Sequence, residues 1–204
     1  MMATRSGRSR HSRRAIAGFT LLEVLVVLII IGVLTAIAAP SWSAFMTRQR
    51  IGVARDQISQ VIRQTQAEAR RTKLARVIIF DTNTANPPRF ASQRQPLDPA
   101  TERTAGLITP ASIQQWQEIG NGEIKAGQLE ISVVPATAQN QIVFDANGAV
   151  DQISAAGGTV GGRPYIFAVN VRQKGGSAGA NRCVIVETLL GATRSTDGTN
   201  CPSS

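Results

Sequence analysis

The chain is poor in the side chains that usually carry out chemistry. Its 204 residues include one histidine, His11, and two cysteines, Cys183 and Cys201. A lone histidine far from both cysteines gives no zinc-ligand spacing. There are no paired carboxylates at a recognisable spacing, no glycine-rich phosphate loop and no serine-centred elbow. Asp145 and Asp151 flank a turn, and the Asx chemistry of turns accounts for them better than hydrolysis does. The chain therefore reads as a non-enzyme with no cofactor. Aromatic residues make up only 4% of it, which leaves little surface on which nucleic-acid bases could stack.

What is present is strongly ordered along the chain. Residues 1–18 hold Arg5, Arg8, Arg10, Arg13 and Arg14 and no acid. An apolar run follows from Phe19 to Ala39, with Glu23 as its one charge. As a helix rising about 1.5 Å per residue, it spans about 30 Å, one hydrocarbon core. The basic segment is expected to stay cytoplasmic, so that residues after Pro40 lie outside. A carboxylate inside such a span costs roughly 2.5–3.5 kcal/mol and needs a partner.

Three N-terminal signals fit parts of this pattern. Ala36-Ile37-Ala38 suits the cleavage site of an ordinary secretory signal. Arg13-Arg14 ahead of the run suits a twin-arginine signal. Glu23 has no use in either. The third pattern uses every feature: Gly18, then Phe19, then a carboxylate five residues into the chain that starts at Phe19. The segment Gly18-Phe19-Thr20-Leu21-Leu22-Glu23 resembles the cleavage and methylation motif of the type IV pilin superfamily.

That resemblance implies cleavage between Gly18 and Phe19 by a prepilin peptidase, which also methylates the new Phe19 amine. The apolar helix is then kept, first as an inner-membrane anchor and later as the core of a filament. Glu23 would pair with the Phe19 amine of a neighbouring subunit, since a paired buried charge is tolerated where a lone one is not. Gly32 and Pro40 weaken helical hydrogen bonding, and pilin helices often bend or melt at such positions. Gly32 also suits close packing in a membrane helix.

The net charge of +9 is unevenly spread. Without the leader the chain carries 17 basic and 13 acidic side chains. Residues 48–76 hold Arg48, Arg50, Arg55, Arg63, Arg70, Arg71, Lys73 and Arg76 against Asp56 and Glu68, whereas residues 77–204 are nearly neutral. Ile51, Ala54, Ile58, Val61, Ile62, Thr65 and Ala69 follow a three-four spacing that predicts an amphipathic helix packed on the rest of the chain. The basic residues fall mostly on other faces. They suit solvent, phospholipid headgroups, acidic neighbours in a filament, or a nucleic-acid backbone.

Beyond Arg76 the pattern changes to short β-type runs: Arg76–Asp81, Leu129–Val134, Gln141–Asp145, Pro164–Val171 and Arg182–Leu190. Residues 82–110, with Pro87, Pro88, Pro96, Pro99 and Pro110, read as loop. Asn147-Gly148 is a turn signal. Gly157 to Gly162 and Gly175 to Gly179 read as flexible connections. The expected fold is α+β: a long N-terminal membrane-anchoring helix followed by an antiparallel, sandwich-like head. The expected divisions are a cleaved leader at 1–18, a helix at 19–76 (19–39 transmembrane, 41–76 amphipathic) and a β-rich head at 77–204.

Outside the cytoplasm Cys183 and Cys201 can oxidise to a disulfide. It would be worth about 3 kcal/mol in the chain-entropy model. A narrower resemblance rests on Gln141–Gly148 and Asn181–Gly191, which look like a strand-turn element and last strand of the FimT/GspH group. These are minor pilins of type IV pili and minor pseudopilins of type II secretion systems. The implied partners are other pilin or pseudopilin subunits, the peptidase/N-methyltransferase and the membrane, at the inner membrane and then in a pilus or pseudopilus. The alternative is a pilus-tip module that binds DNA for uptake. Some FimT-type pilins use a Gly-Arg-x-Arg motif, and this chain has Gly191-Ala192-Thr193-Arg194, with the first arginine missing. Arg194 alone offers little phosphate affinity.

Overall fold

The computed structural model describes residues 18–96, 106, 108–135, 139–151, 157–176 and 180–203. Nearly all of the basic leader, with His11, and much of the proline-rich stretch after Pro96 lie outside the described residues. Helix α1, Leu21–Thr72, is one element of 52 residues. It continues through Gly32 and Pro40, although a proline inside a helix removes a backbone donor and crowds the carbonyl four residues back. The helix ends four residues before Arg76 because Lys73, at φ 57°, takes the left-handed conformation that closes helices.

The chain divides into two compact units, one ending at Ala44 and one spanning Phe45–Ser204. In the first, helix α1 is apolar on every side and its described side chains are exposed. In the second, ten antiparallel strands among the described residues follow the helix: β1 Arg76–Phe80, β2 Arg89–Arg94, β3 Gln117–Glu118, β4 Leu129–Val134, β5 Gln141–Phe144, β6 Gly158–Val160, β7 Arg163–Tyr165, β8 Phe167–Gln173, β9 Arg182–Val186 and β10 Thr193–Asp197. They form one sheet ordered β3-β2-β1-β5, another ordered β10-β9-β8-β4, and the β6-β7 hairpin.

Strand alternation decides which side chains meet. Ile78 and Phe80 of β1, Ile142 and Phe144 of β5, Ile131 and Val133 of β4, Val169 and Val171 of β8, and Val184 and Val186 of β9 share one core with helix α1. The helix contributes Ile51, Ala54, Ile58, Val61, Ile62 and Ala69, all buried. Thr65, on the same face, is also buried, and its hydroxyl meets Ser92 Oγ at 2.9 Å. The opposite face of β1, Val77 and Ile79, packs with Ile108 and Ile113. Gln141, though fully buried, is satisfied: its amide accepts from Ile108 N at 2.9 Å and donates to Ile108 O at 3.0 Å.

Several local expectations are revised. The stretch read as loop contains β2, because its prolines bracket the strand instead of interrupting it. Asp81 folds the chain back by accepting from Asn83 N and binding the Asn86 amide and Arg89. The run at 164–171 is two strands, the first paired with the glycine-flanked β6. The last apolar run stops at Val186, and polar β10 pairs with it across a glycine turn. Asn147-Gly148 does form a turn, closed by Asp145 Oδ1, which accepts from Asn147 N and Ala149 N. The C-terminal tail is tied down twice: by the Cys183–Cys201 disulfide, with Cα atoms 5.8 Å apart, and by Asn170 Nδ2 donating to Pro202 O at 2.7 Å.

The β9-β10 loop is braced from helix α1. Gln66 Nε2 donates to Gly148 O and Leu190 O, each at 2.7 Å. Gly191 sits at φ 80°, and a Cβ there would run into the Gln66 amide. Gly191→Ala is therefore expected to destabilise the folded chain by about 1–3 kcal/mol. The measurement is the urea midpoint of the detergent-solubilised protein, and an unchanged midpoint would show that the brace contributes nothing.

Candidate assembly segment and head surface

At the start of helix α1, Gly18 and Phe19 precede Thr20, and Leu21 is the first helical residue. The Thr20 hydroxyl accepts from the Glu23 backbone N–H at 3.2 Å, and Val24 N donates to Thr20 O. Thr20 is thus the N-cap, and Thr20-Leu21-Leu22-Glu23 has the spacing of a capping box. This signal is present in the sequence, where the charge on Glu23 masks its part in a cap. The same carboxylate sits in the first turn, where the helix dipole favours a negative charge. Among the described residues no cation pairs with it.

The side chains that follow are apolar and unburied. Leu21 is 84% exposed and Ile37 is 70% exposed. A helix that is apolar all round needs a lipid or protein covering. By length and composition, this one qualifies to cross a membrane.

The basic residues at 48–76 turn out to do different jobs. Arg55 bridges Asp56 at 2.8 Å and Asp197 at 3.4 Å. Arg76 meets Glu68 at 2.7 Å, and Arg71 reaches the same carboxylate at 3.8 Å. Arg63 donates to Ser59 Oγ, while Arg70 donates to the carbonyls of Asn147 and Leu190. Most of the stripe therefore ties the helix to its own surroundings. Gly52 takes part from below: a Cβ there would come within 2.6 Å of Arg182 Nη1, and Arg182 itself approaches Asp197.

Arg194 lies on β10, and its guanidinium is bonded to the Glu187 carboxylate. A neutralised arginine has little left for a phosphate backbone. The same hairpin presents Leu189 and Leu190, the latter 75% exposed, with backbones fixed by Gln66, Arg70 and Val150. Beside helix α1 lies a groove of about 500 Å³ lined by Val53, Asp56, Gln57, Gln60, Gln64 and Asn121, among others. Its carboxylate, Asp56, is already held by Arg55, so no acid–base pair forms there. Among the described residues no cluster of three histidine, cysteine or acidic side chains could hold a metal.

Residues 13–39 match a family described as the prokaryotic N-terminal methylation motif. No curated protein matches the chain. Among solved structures, the chain is similar to the type IV minor pilin FimU of Pseudomonas aeruginosa. That match has a TM-score of 0.49 and 14% identity, and covers 78% of this chain and 98% of that one. It is also similar to the minor pseudopilin EpsH of the Type 2 Secretion System of Vibrio cholerae, with a TM-score of 0.40 and 14% identity, covering 70% of this chain and 92% of that one.

If Thr20 caps helix α1, Thr20→Ala will loosen the first turn by about 1 kcal/mol, or about fivefold in local opening. Hydrogen exchange at the Glu23 amide should speed up by that factor in the bilayer-embedded chain. An unchanged rate would mean that the cap is not used.

Proposed function

We propose that this chain is a minor pilin or pseudopilin, a structural subunit of a type IV pilus or of a type II secretion pseudopilus. The observation that carries the reading is the pairing of a methylation motif at 13–39 with an exposed apolar helix that contains one carboxylate. A discarded signal has no need of Glu23. A filament subunit does, because its apolar helix must be covered by other helices in a fixed register.

In this reading the leader, 1–18, is removed between Gly18 and Phe19, and the Phe19 amine is methylated. Residues 19–39 span the inner membrane with the N-terminus cytoplasmic. The leader holds five arginines close to the span, against Arg48 and Arg50 on the far side, so the charge bias sets that orientation. Residues 41–76 are the amphipathic half of the helix, and 77–204 are the head, closed by the Cys183–Cys201 bond. During assembly Glu23 meets the Phe19 amine of the next subunit. Two opposite charges a few ångströms apart in an apolar surrounding attract strongly, and that attraction offsets part of the desolvation penalty that each would carry alone. The subunit acts by docking, and it is a substrate of the processing enzyme instead of being an enzyme itself.

Glu23→Ala tests the pairing. The variant is expected to be cleaved and to remain in the membrane, with its head folded, but to fall at least tenfold in sheared filaments or isolated assembly complexes. Incorporation at the unaltered level would contradict the proposed role of Glu23.

A further inference from the structure

The basic stripe leaves a remainder that its internal contacts do not use. Among the described residues, Arg48 and Arg50, like Lys73 just past the far end of the helix, meet no carboxylate and donate no side-chain hydrogen bond, whereas Arg55, Arg63, Arg70, Arg71 and Arg76 are all engaged. Arg48 is exposed and Arg50 half-buried. The nearest acid in sequence, Asp56, is taken by Arg55. Their place along the chain is also specific. Arg48 follows the end of the apolar run at Ala39 by nine residues, never more than about 30 Å of chain. Trp42 and Phe45, both exposed, lie between, the residue types that favour a membrane–water interface.

From these observations we infer that Arg48 and Arg50 form a contact site for the phosphates of anionic phospholipid headgroups. The inference rests on the reading of residues 19–39 as a membrane span. Guanidinium groups match phosphate oxygens in geometry as well as charge. A positive charge near an anionic surface is attracted over about one Debye length, about 8–10 Å at moderate salt. The site would hold the subunit among anionic lipids before assembly, and departure into a filament would require those contacts to break. Arg63, on the same helix but further along, has no such position.

The test uses the full chain in phosphatidylcholine vesicles, with Trp116→Phe in every protein so that Trp42 is the only reporter. Trp42 fluorescence is quenched by equal mole fractions of brominated phosphatidylglycerol or brominated phosphatidylcholine. The anionic lipid should quench as if enriched about three- to tenfold next to the chain. The preference should fall to parity in the R48Q/R50Q double variant and at 1 M salt, and should persist in Arg63→Gln. Equal quenching by the two lipids in the parent protein would overturn the inference, as would a preference that survives the double substitution with its circular dichroism unchanged. Absence of quenching by either lipid would overturn the span itself, and the inference with it.

Discussion

A helix that is apolar on every side has no stable place in water. From Leu21 to Ala38 the chain presents such a surface, and this requirement for a covering governs the rest of the molecule. In a bilayer the covering is lipid, and in the proposed filament it would be the equivalent helices of other subunits. In that reading Glu23 would distinguish one register from another, because an apolar contact is tolerant of sliding and a paired charge is not. The structure adds a second role for this residue. Its amide closes the Thr20 cap, and its carboxylate lies in the first turn of the helix. The residue proposed to fix the register between subunits also helps to define where the helix begins.

The second half of the same helix solves the opposite problem. One face, from Ile51 to Ala69, shares a single core with residues of two antiparallel sheets. The other faces carry cations, and most of these are used as struts. Arg55 reaches Asp197 of the last strand, Arg70 holds the carbonyls of two loops, and Arg76 returns to Glu68. Struts of this kind contribute little individually where they are exposed. Their effect is to fix the positions of loops that lack a core of their own, such as the β9-β10 hairpin with its exposed leucines.

Much of this architecture was legible in the sequence, and for identifiable reasons. The three-four spacing from Ile51 to Ala69 is a helical period that no strand would produce, and each of those positions is buried. Leu129–Val134 alternates cleanly and has the bounds expected of it. Strand β2 is hard to see in the sequence because the prolines around it, which usually signal loop, mark its edges. Strand β10 was hidden because Thr193–Asp197 is polar, as an outermost strand can be when only one of its edges is paired. The charge stripe was visible, but its division into struts and spare arginines depends on partners more than a hundred residues away, such as Asp197 and Leu190. Arg194 was singled out from a partial motif, and its pairing with Glu187 could not be read from that motif.

The account requires that the apolar helix is kept, in a mature chain that begins at Phe19. The most direct measurement is the intact mass and N-terminal sequence of the mature chain recovered from membranes. The account predicts a chain that begins with N-methylated Phe19 and is two hydrogens lighter than its dithiol form. A mature chain that begins at Ala39, with the apolar run removed, would contradict it.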